Sequence, residues 1–157
     1  MSATVDTTPS LGTPSLGSAV VQVRNLRRSF DGRTVLDGID LDIAAGDFVA
    51  LLGRSGGGKS TLLRILAGLD DGATGHVIGA RRRAVVFQDP RLVPWKRVLA
   101  NVRLGLRDRG ATDRSLAALD EVGLRGHARA WPGTLSGGEA QRVALARALV
   151  REPDLLL

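Results

Sequence analysis

The sequence predicts an α/β fold, and three stretches carry that prediction. Asp47-Phe-Val-Ala-Leu-Leu52 is a short apolar run of the kind that forms a strand buried on both faces. Four glycines fall among residues 53 to 58, and Thr61-Leu-Leu-Arg-Ile-Leu-Ala67 then spaces its apolar side chains as a helix that stops at Gly68. Upstream, Ala19-Val-Val-Gln-Val23 and a run ending near Ile43 read as antiparallel strands joined through Phe30-Asp-Gly-Arg33 as a hairpin turn. Residues 75 to 87 return as strands, closing with Ala84-Val-Val-Phe87. From about Asp89 to Thr134 the pattern turns helical. Val98-Leu-Ala-Asn-Val-Arg-Leu104 and Thr112 to Val122 are amphipathic, the latter with Thr112 or Asp113 as its cap.

A strand, a glycine-rich turn and a helix, in that order, form a phosphate-binding context. The turn here is Gly53-Arg54-Ser55-Gly56-Gly57-Gly58, followed by Lys59, Ser60 and Thr61 at the helix start. Backbone without Cβ atoms approaches phosphate oxygens closely and turns several N–H groups toward them. The helix start adds unpaired donors and a partial positive charge. Lys59 supplies a mobile full charge for terminal phosphates, and the Ser60 hydroxyl is placed for Mg²⁺. A plain glycine-rich linker would not account for Lys-Ser-Thr between a strand and a helix.

A second motif repeats this logic. Leu135-Ser136-Gly137-Gly138-Glu139-Ala-Gln141 opens a helix whose apolar positions include Val143, Leu145, Ala146 and Leu149. Its N-terminus suits an anion, although Ser-Gly-Gly before a helix is also an ordinary cap.

With the glycine loop upstream, Leu135 to Leu149 resembles the signature motif and helix of the ATP-binding cassette proteins. The resemblance covers nearly everything after residue 18. It implies a P-loop NTPase fold of that type: a RecA-like core, an antiparallel β-subdomain and a helical subdomain at about residues 89–134, all within a nucleotide-binding domain spanning 19–157. It implies ATP and Mg²⁺ as cofactors, with Gly53 to Thr61 on the ATP held by this chain. Leu135, Ser136, Gly137, Gly138, Glu139 and Gln141 would cover the ATP of an opposing copy in a head-to-tail dimer. Gln88 matches the family's Q-loop glutamine, which reaches Mg²⁺ or the attacking water, making Ser60 and Gln88 the metal-side residues. Phe30 matches the aromatic that stacks on adenine; most members carry Tyr there, but a ring face is what stacking requires.

Val86-Phe-Gln-Asp-Pro-Arg-Leu-Val-Pro-Trp-Lys-Arg97 resembles one branch most closely, the ATPases of bacterial importers for sulfonates, nitrate and taurine, and leans toward aliphatic sulfonates. The resemblance therefore implies an ATP-hydrolysing subunit that energises such an importer. It would be peripheral on the cytoplasmic face of the inner membrane, docked on permease subunits and served indirectly by a solute-binding protein. Pro90, Leu92, Pro94 and Trp95 would form the docking lip. Trp95 reads equally as an exposed anchor or as a subdomain core residue.

Composition narrows the field. The 157 residues suffice for one sizeable core, and no apolar run approaches the about 20 residues needed to span a bilayer. Residues 1–18 contain Thr-Pro-Ser-Leu-Gly twice, with no basic start and no apolar block, and read as a disordered tail. The absence of cysteine excludes disulfides, thiol catalysis and thiolate metal sites. His76 and His127 lie far apart and fall in no ligand pattern. The net charge of +6 and Arg81-Arg-Arg83 invite a nucleic-acid reading. The arginines are spread along the chain, however, and aromatic residues make up 3% of it, so nucleic acid is not the expected partner.

Glu152-Pro-Asp154-Leu-Leu-Leu157 resembles the approach to the family's Walker B strand. The residues that should follow are the Mg²⁺-ordering aspartate, the catalytic glutamate, the D-loop and the switch histidine, and they do not occur in the sequence. Asp154 precedes that strand and Glu139 lies in the signature helix, so neither substitutes for the glutamate. The chain alone is expected to hydrolyse ATP negligibly and to be prone to aggregate. A non-transport cassette ATPase and a catalytically inactive nucleotide-binding fragment remain the alternatives.

Overall fold

The structure, a computed structural model, describes residues 19–157. The tail read at 1–18 lies outside the described residues. The chain divides into two compact units, one ending at Arg81 and one spanning Arg82–Leu157.

The first unit is built on an antiparallel hairpin. Strand β1 (Val21–Phe30) pairs with β2 (Arg33–Ile43) from Val21↔Ile43 at one end to Phe30↔Arg33 at the other. Asp31 and Gly32 form the two-residue turn with φ of 48° and 77°, the primed geometry that matches strand twist, as the sequence predicted. Strand β3 (Thr74–Ile78) adds to the other edge of β1, giving the order β2-β1-β3. Val21, Val23 and Leu26 of β1 and Leu36, Leu41 and Ile43 of β2 are buried. So are Leu62, Ile65 and Leu66 of helix α1 (Lys59–Leu66), which touches β2. Each fully buried side chain of this kind contributes roughly 1.5–3 kcal/mol.

The expected buried strand at 47–52 is not formed. Phe48 is 95% exposed and Leu52 66% exposed. A strand buried on both faces exists only where neighbours accept its backbone hydrogen bonds, and no described strand pairs with these residues. The Ala84–Phe87 strand is likewise shorter than expected. Strand β4 (Arg83–Ala84) pairs in parallel with β5 (Leu155–Leu156), and Val86 N–H donating to the Leu157 carbonyl at 2.7 Å prolongs the ladder by one step.

The second unit packs helix α2 (Val98–Val102), α3 (Ala111–Glu121) and α4 (Gly137–Leu149) around Val98, Val102, Ala118, Leu119, Leu124, Val143, Ala146 and Val150. The signature helix α4 thus shares one core with the two helices of the 89–134 stretch. Helix α3 begins after Gly110 and not at a cap formed by Thr112 or Asp113. The Asp108 carboxylate takes the Gly110 N–H at 3.1 Å and pairs with Arg114, while the Thr112 hydroxyl, inside the first turn, accepts from Arg103.

Asn101, fully buried, organises the loop before α2. Its side-chain carbonyl accepts from Val93 N–H at 2.7 Å, and its amide donates to the carbonyls of Val93 and Lys96 at 3.1 and 2.8 Å. Asn101→Ala leaves those backbone groups without partners and should lower the unfolding free energy by about 2–3 kcal/mol. Urea unfolding measures this, and an unchanged midpoint would contradict the assignment.

Candidate nucleotide-binding site

The glycine loop owes its shape to backbone that only glycine adopts easily. Gly56 and Gly58 have φ of 78° and 84°, and Gly57 N–H closes a turn onto the Arg54 carbonyl at 3.1 Å. Gly58 is the N-cap of α1, and a Cβ there would fall 2.7 Å from Leu36 Cδ2 and 3.0 Å from the Val35 carbonyl oxygen. Helix α1 begins with Leu62 N–H donating to the Gly58 carbonyl at 2.9 Å. The amides of Lys59, Ser60 and Thr61 therefore have no intrahelical acceptor, no side chain caps them, and no acidic residue stands in the first turn. This set of open donors is what an anion requires.

Lys59 folds back over the loop, its ammonium donating to the carbonyls of Gly53 and Arg54 at 2.8 and 2.7 Å. Arg54, Ser55 and Ser60 are exposed and Thr61 is half-buried. Phe30, at the end of β1, is 42% exposed, with the Arg28 guanidinium 4.1 Å from its ring centroid. It connects to the loop through β2, whose Val35 and Leu36 lie against Gly58.

The remaining predicted residues lie in the second unit. Gln88 is exposed in a loop whose backbone is held from α4. Gln141 Nε2 donates to the Phe87 carbonyl at 2.9 Å, and Arg147 donates to the carbonyls of Pro90 and Arg91 at 2.6 and 2.9 Å. The loop closes on itself as well, with the Arg91 guanidinium 4.2 Å from the Phe87 ring centroid. The start of α4 is a full capping box: the Ser136 hydroxyl accepts from Glu139 N–H, and the Glu139 carboxylate accepts from Ser136 N–H at 2.8 Å. That backbone bond, and a second one that the Ser136 hydroxyl donates to the carboxylate at 2.8 Å, hold the Glu139 carboxyl below its usual range. His127 approaches the same carboxylate at 3.5 Å. Gly137 and Gly138 are exposed, while Leu135 packs against the unit's core.

The expected docking lip is divided. Leu92 packs against the helical core, Pro90 is half-buried, and Pro94 and Trp95 are exposed, Trp95 at 77%. This makes Trp95 a surface residue. Within the arginine triplet, Arg82 pairs with Asp154 at 2.6 Å and donates to it through its backbone N–H, so Asp154 is a structural partner of that strand end.

Several organising residues escaped the motif reading. Arg28 with Asp70, and Arg147 with Pro90, act across long sequence separations, and Asn101 reaches back to Val93 in a loop that no periodic spacing announces. The Ser136–Glu139 capping box escaped it as well, although Ser-x-x-Glu at 136–139 is the spacing that announces one.

Glu139 generates a pH prediction. Its carboxyl titrates lower in the folded chain than in the unfolded one, so its stabilising contribution is complete above the ordinary carboxylate range and is lost as pH falls through the lowered folded value. The stability difference between the parent chain and Glu139→Gln should be greatest near neutral pH and shrink under acid, measured by urea unfolding across pH. A difference that grows on acidification would contradict the cap.

Residues 36–157 match the protein family described as ABC transporter. The chain is 64% identical over 155 residues to "Aliphatic sulfonates import ATP-binding protein SsuB 1" of Frankia alni, covering 99% of this chain and 57% of that protein. It is 66% identical over 147 residues to "Aliphatic sulfonates import ATP-binding protein SsuB" of Mycobacterium sp. (strain MCS), covering 90% and 60%. The chain thus spans between half and two thirds of the length of these relatives. Among solved structures it resembles cbiO1 from Clostridium perfringens, part of the ABC transporter complex cbiONQ, with a TM-score of 0.79, 28% identity, and coverage of 88% of this chain and 64% of that one. A glycine loop opening a helix, a capped Ser-Gly-Gly helix downstream and a family match over residues 36–157 together place this chain in the ABC transporter family.

Proposed function

We propose that the chain is the ATP-binding part of an ATPase subunit that energises import of aliphatic sulfonates or related anions. The observation that carries this reading is the uncapped start of α1, where Gly58, Lys59, Ser60 and Thr61 offer backbone donors, an ammonium and a hydroxyl side by side. The solute class rests on the names of relatives sharing 64 and 66% identity.

In this reading the triphosphate lies along Gly53 to Thr61, and Lys59 exchanges its two loop carbonyls for phosphate oxygens. Phe30 stacks on the adenine. Mg²⁺ fits a donor set of this kind, because a lone hydroxyl such as that of Ser60 leaves most of the coordination to phosphates and water. When bound, the ion neutralises phosphate charge. Gln88 serves the metal or the attacking water, its loop held by Gln141 and Arg147. Leu135, Ser136, Gly137, Gly138, Glu139 and Gln141 face the nucleotide of a second copy. Exposed Trp95 and Pro94 meet a membrane-embedded permease at the cytoplasmic face of the inner membrane, and a solute-binding protein delivers the cargo. No helix among the described residues is long and apolar enough to cross a membrane, which is compatible with a peripheral subunit.

Lys59→Ala should weaken ATP binding by about tenfold or more, since it removes a full charge from the phosphates. Ser136→Ala, in a protein carried to the relatives' length, should leave binding by its own glycine loop within about twofold while abolishing turnover. Calorimetry and phosphate release measure the two effects. Loss of binding in Ser136→Ala would overturn the assignment of the signature to the opposing copy.

A further inference from the structure

Phe30 is not an isolated ring at the end of a strand. Arg28, two residues back on β1, lies over it with Cζ 4.1 Å from the ring centroid. The guanidinium is fixed on its other sides: Nε approaches the Asp70 carboxylate at 3.1–3.2 Å, and Nη1 donates to the Ser29 carbonyl at 3.0 Å. The pair is largely withdrawn from water, with side-chain exposures of 20% for Arg28 and 12% for Asp70. Asp70 is itself fixed by Gly72 N–H at 3.0 Å, and that bond together with Arg28 lowers its carboxyl below the usual range. Gly72 is shaped to the guanidinium, because a Cβ there would fall 2.5 Å from Arg28 Cζ.

We propose that Arg28, held by Asp70, is a positioning residue for nucleotide binding that covers one face of the Phe30 ring and leaves the other to accept a purine base. Three physical consequences favour this role. An arginine locked by a carboxylate and a backbone carbonyl fixes the plane of the ring it covers, lowering the cost of ordering that ring when a base arrives. The cation draws π density to its own side, which suits the opposite face to an electron-rich purine. Asp70 also follows the C-terminal end of α1 closely, where Leu69 N–H donates to the Arg64 carbonyl at 2.8 Å. The helix that begins at the phosphate loop therefore carries at its far end the carboxylate that sets the ring. A base and a triphosphate would be located by two ends of one rigid element.

The inference rests on the reading of Phe30 as the adenine-stacking residue, and one experiment separates their failures. ATP and inorganic tripolyphosphate, which has phosphates but no base, are titrated calorimetrically into the full 157-residue chain. Arg28→Met and Asp70→Asn should weaken ATP about three- to tenfold and leave tripolyphosphate within about twofold. Arg28→Lys, which keeps the charge, should recover part of the loss. In a Phe30→Ala background, which weakens ATP by itself, the Arg28 and Asp70 substitutions should have no further effect. Equal weakening of both ligands would reduce the pair to a structural tie and overturn the proposal. ATP affinity unchanged by Arg28→Met and Asp70→Asn but lowered by Phe30→Ala would overturn it too, while leaving the stacking role intact. ATP affinity unchanged by Phe30→Ala would remove the stacking role and the proposal with it.

Discussion

The first unit depends on the backbone conformation of one residue. Gly58 has to turn left-handed at the point where it presses against Val35 and Leu36 of β2, and only a residue without Cβ meets both demands. The consequence is chemical. Because the N-cap is a glycine with no side-chain acceptor, the first amides of α1 stay open, and Lys59 follows at once. The contact also ties the phosphate loop to the hairpin whose other strand ends in Phe30. The strand end that carries Phe30 and the glycine loop thereby belong to one packed body.

The two motifs are both helix starts, yet they are finished in opposite ways. Helix α1 leaves its donors uncapped. Helix α4 closes its first turn on itself, with Ser136 Oγ accepting from Glu139 N–H and the Glu139 carboxylate accepting from Ser136 N–H. A self-satisfied start suits a surface that meets a ligand held elsewhere, because it stays ordered without that ligand. The same helix holds the Gln88 loop by Gln141 at one end and Arg147 at the other. Burial lowers the Arg147 pKa without removing its charge, so two adjacent carbonyls receive a strong donor. A displacement of α4 would carry that loop with it.

Local chemistry was legible in the sequence, and cooperative structure was less so. The Asp31-Gly32 turn, the glycine loop, the start of α1 and the Ser136 helix all follow from residue types at fixed short spacing, and all are formed. Asp47–Leu52 carries the pattern of a central strand, but a pattern states only what a segment would bury. Without a paired neighbour among the described residues, Phe48 and Leu52 face water and Val49 and Leu51 are only half-buried. The cap of α3 was misread for a different reason: the helix starts at Ala111, which puts Thr112 and Asp113 inside its first turn, and Arg103 occupies the Thr112 hydroxyl. Arg28 with Asp70, Asn101 with Val93, and Arg147 with Pro90 are side-chain contacts made by the fold, and residue spacing does not disclose them.

In the proposed function, ATP binds through the open amides at the start of α1. Backbone amide resonances of the chain, followed by NMR during titration with ATP, test it directly. Gly56, Gly57, Gly58, Lys59 and Ser60 should shift most, with Phe30 responding to the base. Movement confined to other residues while these five stay in place would contradict it.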